Sequence, residues 1–155
     1  MAASARTITI KRTEADDPDF RYLVAQLSFE LRDLYGDKKV LVDNYIDISH
    51  LETVVIGCVN DMPVACGCFQ KANYKIAEIK RVFVKPAERK TGIGSAIMDE
   101  LETWAKEDGF AELITETADK LNESIVFLKN RGYHSIPNFG PYIGTDTSVC
   151  FKKQL

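Results

Sequence analysis

The sequence predicts an α/β (α+β) fold: a single domain in which helices pack on both faces of a mixed, mostly antiparallel sheet. Three observations predict it. Strand-like segments follow one another closely in the middle of the chain, a strand–helix–strand unit comes next, and the helix-like segments carry apolar residues at helical spacing. A length of 155 residues is enough for one core without disulfides or metals. We therefore expect one domain over residues 1–155.

The first half of the chain predicts a strand, a helix and a hairpin. Apolar and polar residues alternate in the first strand, TITIKR. The first helix is DPDFRYLVAQLSFELRDLY, which follows an Asp-Pro start signal and repeats apolar residues every three or four positions. An irregular region with a short helical turn follows, YGDKKVLVDNYIDISHLE. The hairpin then consists of TVVIGCV, a turn at NDM, and PVACGCFQ.

The second half predicts a βαβ unit and two further elements. The strand KIAEIKRVFV is stopped by Pro86, and an amphipathic helix runs from about Gly92 to Asp108, where Gly109 ends it. AELITET is a strand, NESIVFLKN is a helix closed by Gly132, and SVCFKK is the last strand. An antiparallel meander that leads into a βαβ unit predicts a mixed sheet rather than a doubly wound one.

Composition excludes several classes of protein. With 45% hydrophobic and 28% charged residues, the chain resembles an ordinary globular protein, and a net charge of −3 gives no reason to expect nucleic acid or an anionic membrane as partner. No apolar run approaches a membrane span, and the first residues lack the core of a secretory signal, so we expect a cytoplasmic protein. The four cysteines lie in strand-like segments without a histidine at zinc-like spacing, so we expect buried, reduced thiols and no metal. A redox or nucleophilic role for them stays open.

The stretch PAERKTGIGSAIMDELETWAKEDGF places Gly92 and Gly94 at the start of an amphipathic helix. Free N–H groups at a helix start bind anions, and glycines let an anion approach the backbone closely. With Arg89 and Lys90 adjacent, the stretch predicts a phosphate or pyrophosphate cradle; the alternative is a tight turn with solvated basic residues. The Walker A pattern is absent, and the dinucleotide pattern G-x-G-x-x-G fails at Ile97.

These residues carry a family resemblance. RKTGIG matches the pattern Arg/Gln-x-x-Gly-x-Gly/Ala of the GNAT superfamily of acetyl-coenzyme A-dependent N-acetyltransferases, with RVFV before it and LKNRGY after it. The chain resembles a small bacterial branch of that superfamily over most of its length. The resemblance implies an N-acetyltransferase domain that uses acetyl-CoA as co-substrate. The acceptor is then a primary amine of a small molecule or peptide, and we expect it to attack directly because the sequence shows no positioned cysteine or serine nucleophile. Homodimers are common among such folds.

The resemblance also implies which residues bind the carrier. The coenzyme A diphosphate is expected on the turn and helix start, namely Arg89, Lys90, Thr91, Gly92, Ile93, Gly94 and Ser95. The pantetheine arm is expected to pair with the backbone of Val82, Phe83 and Val84, which requires the sheet to splay there. Asn122, near the start of the later helix, is a further carrier-binding candidate, but the favoured interpretation is that it caps that helix.

For catalysis, Glu78 is the predicted base that deprotonates the amine. The alternatives are a structural glutamate, for example one paired with Lys80, and a water chain in place of a side-chain base. In the family's helix motif a tyrosine often protonates the departing thiolate, but here Leu128 occupies that position. Tyr142 is the predicted catalytic tyrosine, although it does not match the motif, whereas Tyr133 is expected in the core. Because the usual acid is missing, an acyl-CoA-binding regulatory module with little catalysis is the alternative function.

Overall fold

The computed structural model describes residues 5–36 and 45–155 of the chain. In this part of the chain, seven strands form one sheet in the order β1-β2-β3-β4-β5-β7-β6. The strands are β1 Ile8–Thr13, β2 Val54–Val59, β3 Met62–Lys71, β4 Ile76–Val84, β5 Glu112–Ala118, β6 His134–Ile136 and β7 Ser148–Gln154. The α-helices are α1 Pro18–Tyr35, α2 Ile93–Glu107 and α3 Asn122–Asn130.

The sheet is mixed and mostly antiparallel, as predicted, because β4 and β5 are the parallel neighbours and the other described pairs are antiparallel. Strand β6 was not predicted; its three residues are too few to show a periodicity. In the predicted irregular region, residues 37–44 lie outside the described part of the chain. The short helical turn predicted in that region is a 3₁₀ turn at Tyr45–Ile48.

One face of the sheet is covered by α1. This helix begins where predicted: the Asp17 side chain accepts a hydrogen bond of 2.9 Å from the Asp19 amide, and Pro18 occupies the first turn. Its apolar stripe packs on the sheet and is fully or almost fully buried, namely Phe20, Leu23, Val24, Leu27 and Leu31. The cysteines Cys58, Cys66 and Cys68 lie in the same cluster as buried, reduced thiols.

The opposite face is covered by α2. Its buried residues are Ile93, Ile97, Met98, Leu101 and Ala105, and they pack against β2, β3 and β4. A Cβ on Gly67 of β3 would lie 2.8 Å from Leu101 Cδ1, so any side chain there would force Leu101 of α2 to shift. Trp104 is partly buried at the edge of this cluster, where it stacks edge-on against Phe69. With both faces covered, all six residues of β2 are buried.

Candidate active site

A slot opens in the sheet between β4 and β5. Their parallel pairing runs from Ile76 opposite Glu112 to Ile79 opposite Thr115, where the Thr115 hydroxyl donates a hydrogen bond of 3.0 Å to the Ile79 carbonyl. Beyond this pair the two strands are not paired in the described structure. They diverge at the position where the resemblance implied a splay. The slot lies between α1 on one face and the other two helices on the opposite face; it is lined by Leu27, Leu31, Ile79, Lys80, Arg81, Val82, Met98, Thr115, Glu116, Thr117, Ala118, Ser124, Phe127 and Leu128.

A β-bulge in β4 lies at the start of the slot. On the other side of β4, Cys66 of β3 pairs with Phe83 while Cys68 pairs with Lys80, so Arg81 and Val82 together face Gly67. Arg81 adopts a positive φ of 58°, which is uncommon for a residue other than glycine. The bulge therefore changes the direction of the β4 backbone just where that strand loses its β5 partner.

The predicted cradle is a helix start with open amides. Gly92 caps α2 with a φ of 91°, a conformation that favours glycine, and no side chain caps the helix. Within the described residues no protein acceptor bonds the amides from Lys90 to Ser95, whereas the Arg89 amide donates to the Pro86 carbonyl at 3.3 Å. The cradle lies at the outer end of the slot, because a Cβ on Gly94 would lie 3.4 Å from Val84 Cγ2 of β4.

The basic side chains of the cradle are paired, which the sequence did not predict. The Arg89 guanidinium donates at 2.7 Å to the Glu30 carboxylate of α1 and at 2.9 Å to the Val84 carbonyl. Lys90 is exposed, with its ammonium 3.6 Å from the Glu123 carboxylate. A further cation, Arg6, donates to the Thr91 hydroxyl at 3.1 Å. Arg6 lies far away in the sequence, and no local signal connects it to the cradle.

Glu78 lies beside the vertex of the slot, which is the point where β4 and β5 stop pairing, and 7% of its surface is exposed. Its Oε1 accepts a hydrogen bond of 3.3 Å from the Gln70 amide, while its buried Oε2 has no hydrogen-bond partner and lies 3.8 Å from the Lys80 ammonium. Burial raises the pKa of the Glu78 carboxyl above its ordinary value, although the charges and dipoles of Lys80 and Gln70 act in the opposite direction. A raised pKa makes the Glu78 carboxylate a stronger base than an ordinary glutamate.

Tyr142 is brought to the same place by the C-terminal 3₁₀ turn Gly140–Tyr142. Its side chain is buried, its ring centroid lies 5.9 Å from the Lys80 ammonium, and it stacks edge-on against Phe139. Glu78 and Tyr142 therefore flank Lys80 from two distant parts of the sequence. Tyr133, by contrast, is buried in the core and donates a hydrogen bond of 3.2 Å to Glu102, as its expected packing role requires.

The N-terminal half of α3 holds one predicted residue, Asn122, and one that sequence reasoning missed, Ser124. Asn122 is exposed as the first helical residue, and the capping position belongs to Leu121 without a side-chain hydrogen bond, so Asn122 does not cap the helix. Ser124 lines the slot, and its hydroxyl accepts a hydrogen bond of 3.0 Å from Thr117. Ser124 lies one helical turn before Leu128, and that spacing was the available signal.

Comparison with known proteins identifies the family and the fold. The model of the acetyltransferase (GNAT) family matches residues 15–133, which include α1, the slot and the cradle. The chain belongs to the GNAT family. The sequence is 28% identical to an IAA acetyltransferase of Azospirillum brasilense, over 96% of this chain and 98% of that protein.

Solved structures of GNAT proteins share the whole architecture. A candidate acyl-CoA N-acyltransferase of Klebsiella pneumoniae superimposes with a TM-score of 0.78 at 25% identity, over 96% of this chain and 98% of that one. A GNAT acetyltransferase of Elizabethkingia anophelis with acetyl-CoA bound superimposes with a TM-score of 0.70 at 18% identity, again over 96% of this chain and 98% of that one. The predicted family and fold class are thereby confirmed, and membership makes the chain an acyltransferase. The described helices include none long and apolar enough to cross a bilayer.

Proposed function

We propose that this GNAT protein transfers the acetyl group of acetyl-CoA to a primary amine of a small-molecule or peptide acceptor. The observation that carries the proposal is the Glu78 carboxyl, which is buried beside the vertex of the slot, has no hydrogen-bond partner at Oε2 and has a raised pKa. An amine must lose a proton before or as it attacks, and a carboxylate in such a place is suited to accept that proton. The predicted cytoplasmic location and possible homodimer stay predictions.

The carrier is proposed to lie along β4 from the cradle to the vertex. Its diphosphate is assigned to the open amides between Lys90 and Ser95 at the start of α2, where the helix dipole adds to the attraction. Its pantetheine arm is assigned to the edge of β4 at Val82, Phe83 and Val84, where β5 has diverged. The acetyl-CoA bound to the Elizabethkingia anophelis protein, which shares this fold, supports that choice of carrier. Asn122 remains a candidate contact on α3.

Transfer is proposed to proceed by direct attack in a ternary complex. The amine nitrogen bonds to the thioester carbon, the C–S bond breaks, and coenzyme A departs as thiolate while Glu78 takes the ammonium proton. The thiols nearest the bulge argue against an acyl-enzyme: Cys66 and Cys68 are buried, and burial raises the pKa of the Cys66 thiol well above its ordinary value. Tyr142, beside Lys80, is the proposed proton donor to the thiolate.

One observation favours a second candidate function, an acyl-CoA-binding regulatory module. Leu128 lines the slot at the position where the family often has the tyrosine that protonates the thiolate, and a leucine cannot donate a proton. The two functions differ in turnover. An enzyme should release free thiol from acetyl-CoA faster when a panel of primary amines is added. A module should be stabilised against heat by coenzyme A without amine-dependent release of thiol, and that result would reject the enzymatic proposal. Stabilisation by ATP as large as that by coenzyme A would instead indicate a general phosphate binder.

A further inference from the structure

The bulge of β4 needs support from its surroundings. Two residues of β4, Arg81 and Val82, face the single residue Gly67 of β3, and Arg81 holds a positive φ of 58°. A bulge interrupts the regular ladder, and an uncommon backbone conformation persists only where neighbouring groups hold it. Gly67 cannot supply a side chain for this purpose, since α2 presses against it.

The two residues on either side of Gly67 are cysteines, and both thiols reach the bulge. The Cys66 thiol donates a hydrogen bond of 3.3 Å to the Arg81 carbonyl, and the Cys68 thiol donates one of 3.3 Å to the Lys80 carbonyl. Both side chains are fully buried on the α1 face. Because burial raises the pKa of the Cys66 thiol, that group keeps its proton and stays a donor at neutral pH. The thiols thus contact consecutive peptide groups of β4.

Those peptide groups are the first two beyond the vertex of the slot. Pairing with β5 ends at Ile79, so from Lys80 onward the orientation of the β4 backbone depends on contacts with β3. Rotation of the Lys80 or Arg81 peptide would change the direction of the amides that follow, which are those assigned to the carrier. A change of that kind would alter carrier binding even though the thiols contact the β4 backbone and not the carrier.

We propose that Cys66 and Cys68 are positioning residues, whose thiols hold the β4 bulge in the geometry that accepts the acyl carrier. The inference rests on the proposed function, because it assigns the carrier to the edge of β4. It gives the C-x-C pair a role other than nucleophile, redox couple or simple core filler. That role requires a hydrogen-bond donor at each position, not merely a buried apolar atom.

The test compares alanine and serine variants with a matched control. Cys66→Ala and Cys68→Ala each remove a donor at the bulge, whereas Cys66→Ser and Cys68→Ser keep one. Cys58→Ala removes a buried thiol from the same α1-face cluster on β2, which β3 separates from β4. Each variant is measured for the KM of acetyl-CoA, for coenzyme A affinity by calorimetry, and for the temperature of unfolding. Infrared spectra of the S–H stretch report whether the thiols are hydrogen-bonded.

The expected result separates positioning from packing. The alanine variants at positions 66 and 68 should raise the KM of acetyl-CoA and weaken coenzyme A binding by about two- to tenfold, the range of one lost hydrogen bond. The serine variants should recover part of that loss, and the Cys58→Ala control should lower the unfolding temperature with KM unchanged. Equal KM values for wild type and both alanine variants, or equal effects of alanine and serine, would overturn the proposal.

Failure of the proposed function would look different from failure of this inference. If wild-type protein binds no coenzyme A, the proposed function fails, and crystal structures of the Cys66→Ala and Cys68→Ala variants still decide the positioning role. Loss of the positive φ at Arg81, or a shift in the β3–β4 register, would support it. An unchanged bulge in both variants would refute it, because the thiols would then hold nothing.

Discussion

Replacing Glu78 with glutamine should reduce activity and increase stability at the same time. The substitution keeps the size of the side chain and the neighbours Gln70 and Lys80 but removes the group that accepts a proton. A positioned general base contributes about 10²- to 10⁴-fold to the rate. We therefore expect kcat to fall by about 100-fold or more, which corresponds to about 2.7 kcal/mol of transition-state stabilisation.

The pH dependence follows from the direction of the pKa shift. Burial raises the pKa of Glu78 above its ordinary value of 4.5, so the basic carboxylate is populated only above the raised pKa. In wild-type protein, kcat/KM should rise with pH through that pKa and then level off. In the Glu78→Gln variant this rise should be absent.

The same shift predicts the effect on stability. Between pH 4.5 and the raised pKa the folded state binds more protons than the unfolded state, so wild-type stability falls as the pH rises through this window. Each unit by which the pKa is raised lowers the free energy of unfolding by about 1.4 kcal/mol at pH values above the raised pKa. Glutamine does not titrate, so Glu78→Gln should unfold at a higher temperature than wild type at pH 8. The difference should disappear below pH 4.5.

A second buried strand glutamate provides the control. Glu112 lies on β5, away from the slot vertex, where Lys152 at 2.8 Å and then Gln154 lower the pKa of its carboxyl to about 2. Glu112→Gln should keep wild-type kcat and should lose stability at neutral pH, a loss that disappears as the pH falls toward 2. Thiol release with a primary amine and thermal unfolding from pH 2 to pH 9 measure both variants. Wild-type kcat in Glu78→Gln, or a lower unfolding temperature than wild type at pH 8, would refute the reasoning.

Five further substitutions test the cradle and the missing acid. Gly92→Ala forces a Cβ into a φ of 91° and should cost about 1–2 kcal/mol in urea unfolding; an unchanged midpoint would mean that the turn is not strained. Arg89→Ala should weaken coenzyme A binding in calorimetry. Glu30→Gln frees the same guanidinium and should leave the affinity for coenzyme A equal or higher. Weaker binding in both variants would mean that the ion pair between Arg89 and Glu30 is structural. Leu128→Tyr should raise kcat if thiolate protonation limits turnover, and Tyr142→Phe should lower it; no change in either would remove the need for a side-chain acid.

Local patterns were sufficient for most elements of this chain. Alternation predicted β1, the Asp17–Pro18 pair predicted where α1 begins, and Gly92 predicted the start of α2. Each signal is local because it depends on backbone conformation or on which face of one element is buried. The same reasoning missed β6, because three residues cannot display a period.

The sequence predicted the part of the candidate site that lies in one continuous stretch, but not the contacts between residues that are far apart in the chain. The open amides of the cradle follow from the glycines, but the ion pair between Arg89 and Glu30 depends on how α1 crosses the sheet. Likewise, no property of the letters around Tyr142 places its ring beside Lys80.

By itself the sequence determined the family, the order of the elements and the glycine-rich helix start, because these are properties of neighbouring residues. The tertiary structure decided where β4 leaves β5, that Cys66 and Cys68 contact the bulge, and that Glu78 is buried enough for its pKa to rise. Burial and hydrogen bonding across strands depend on residues far apart in the chain, and they exist only after the sheet and its helices have packed.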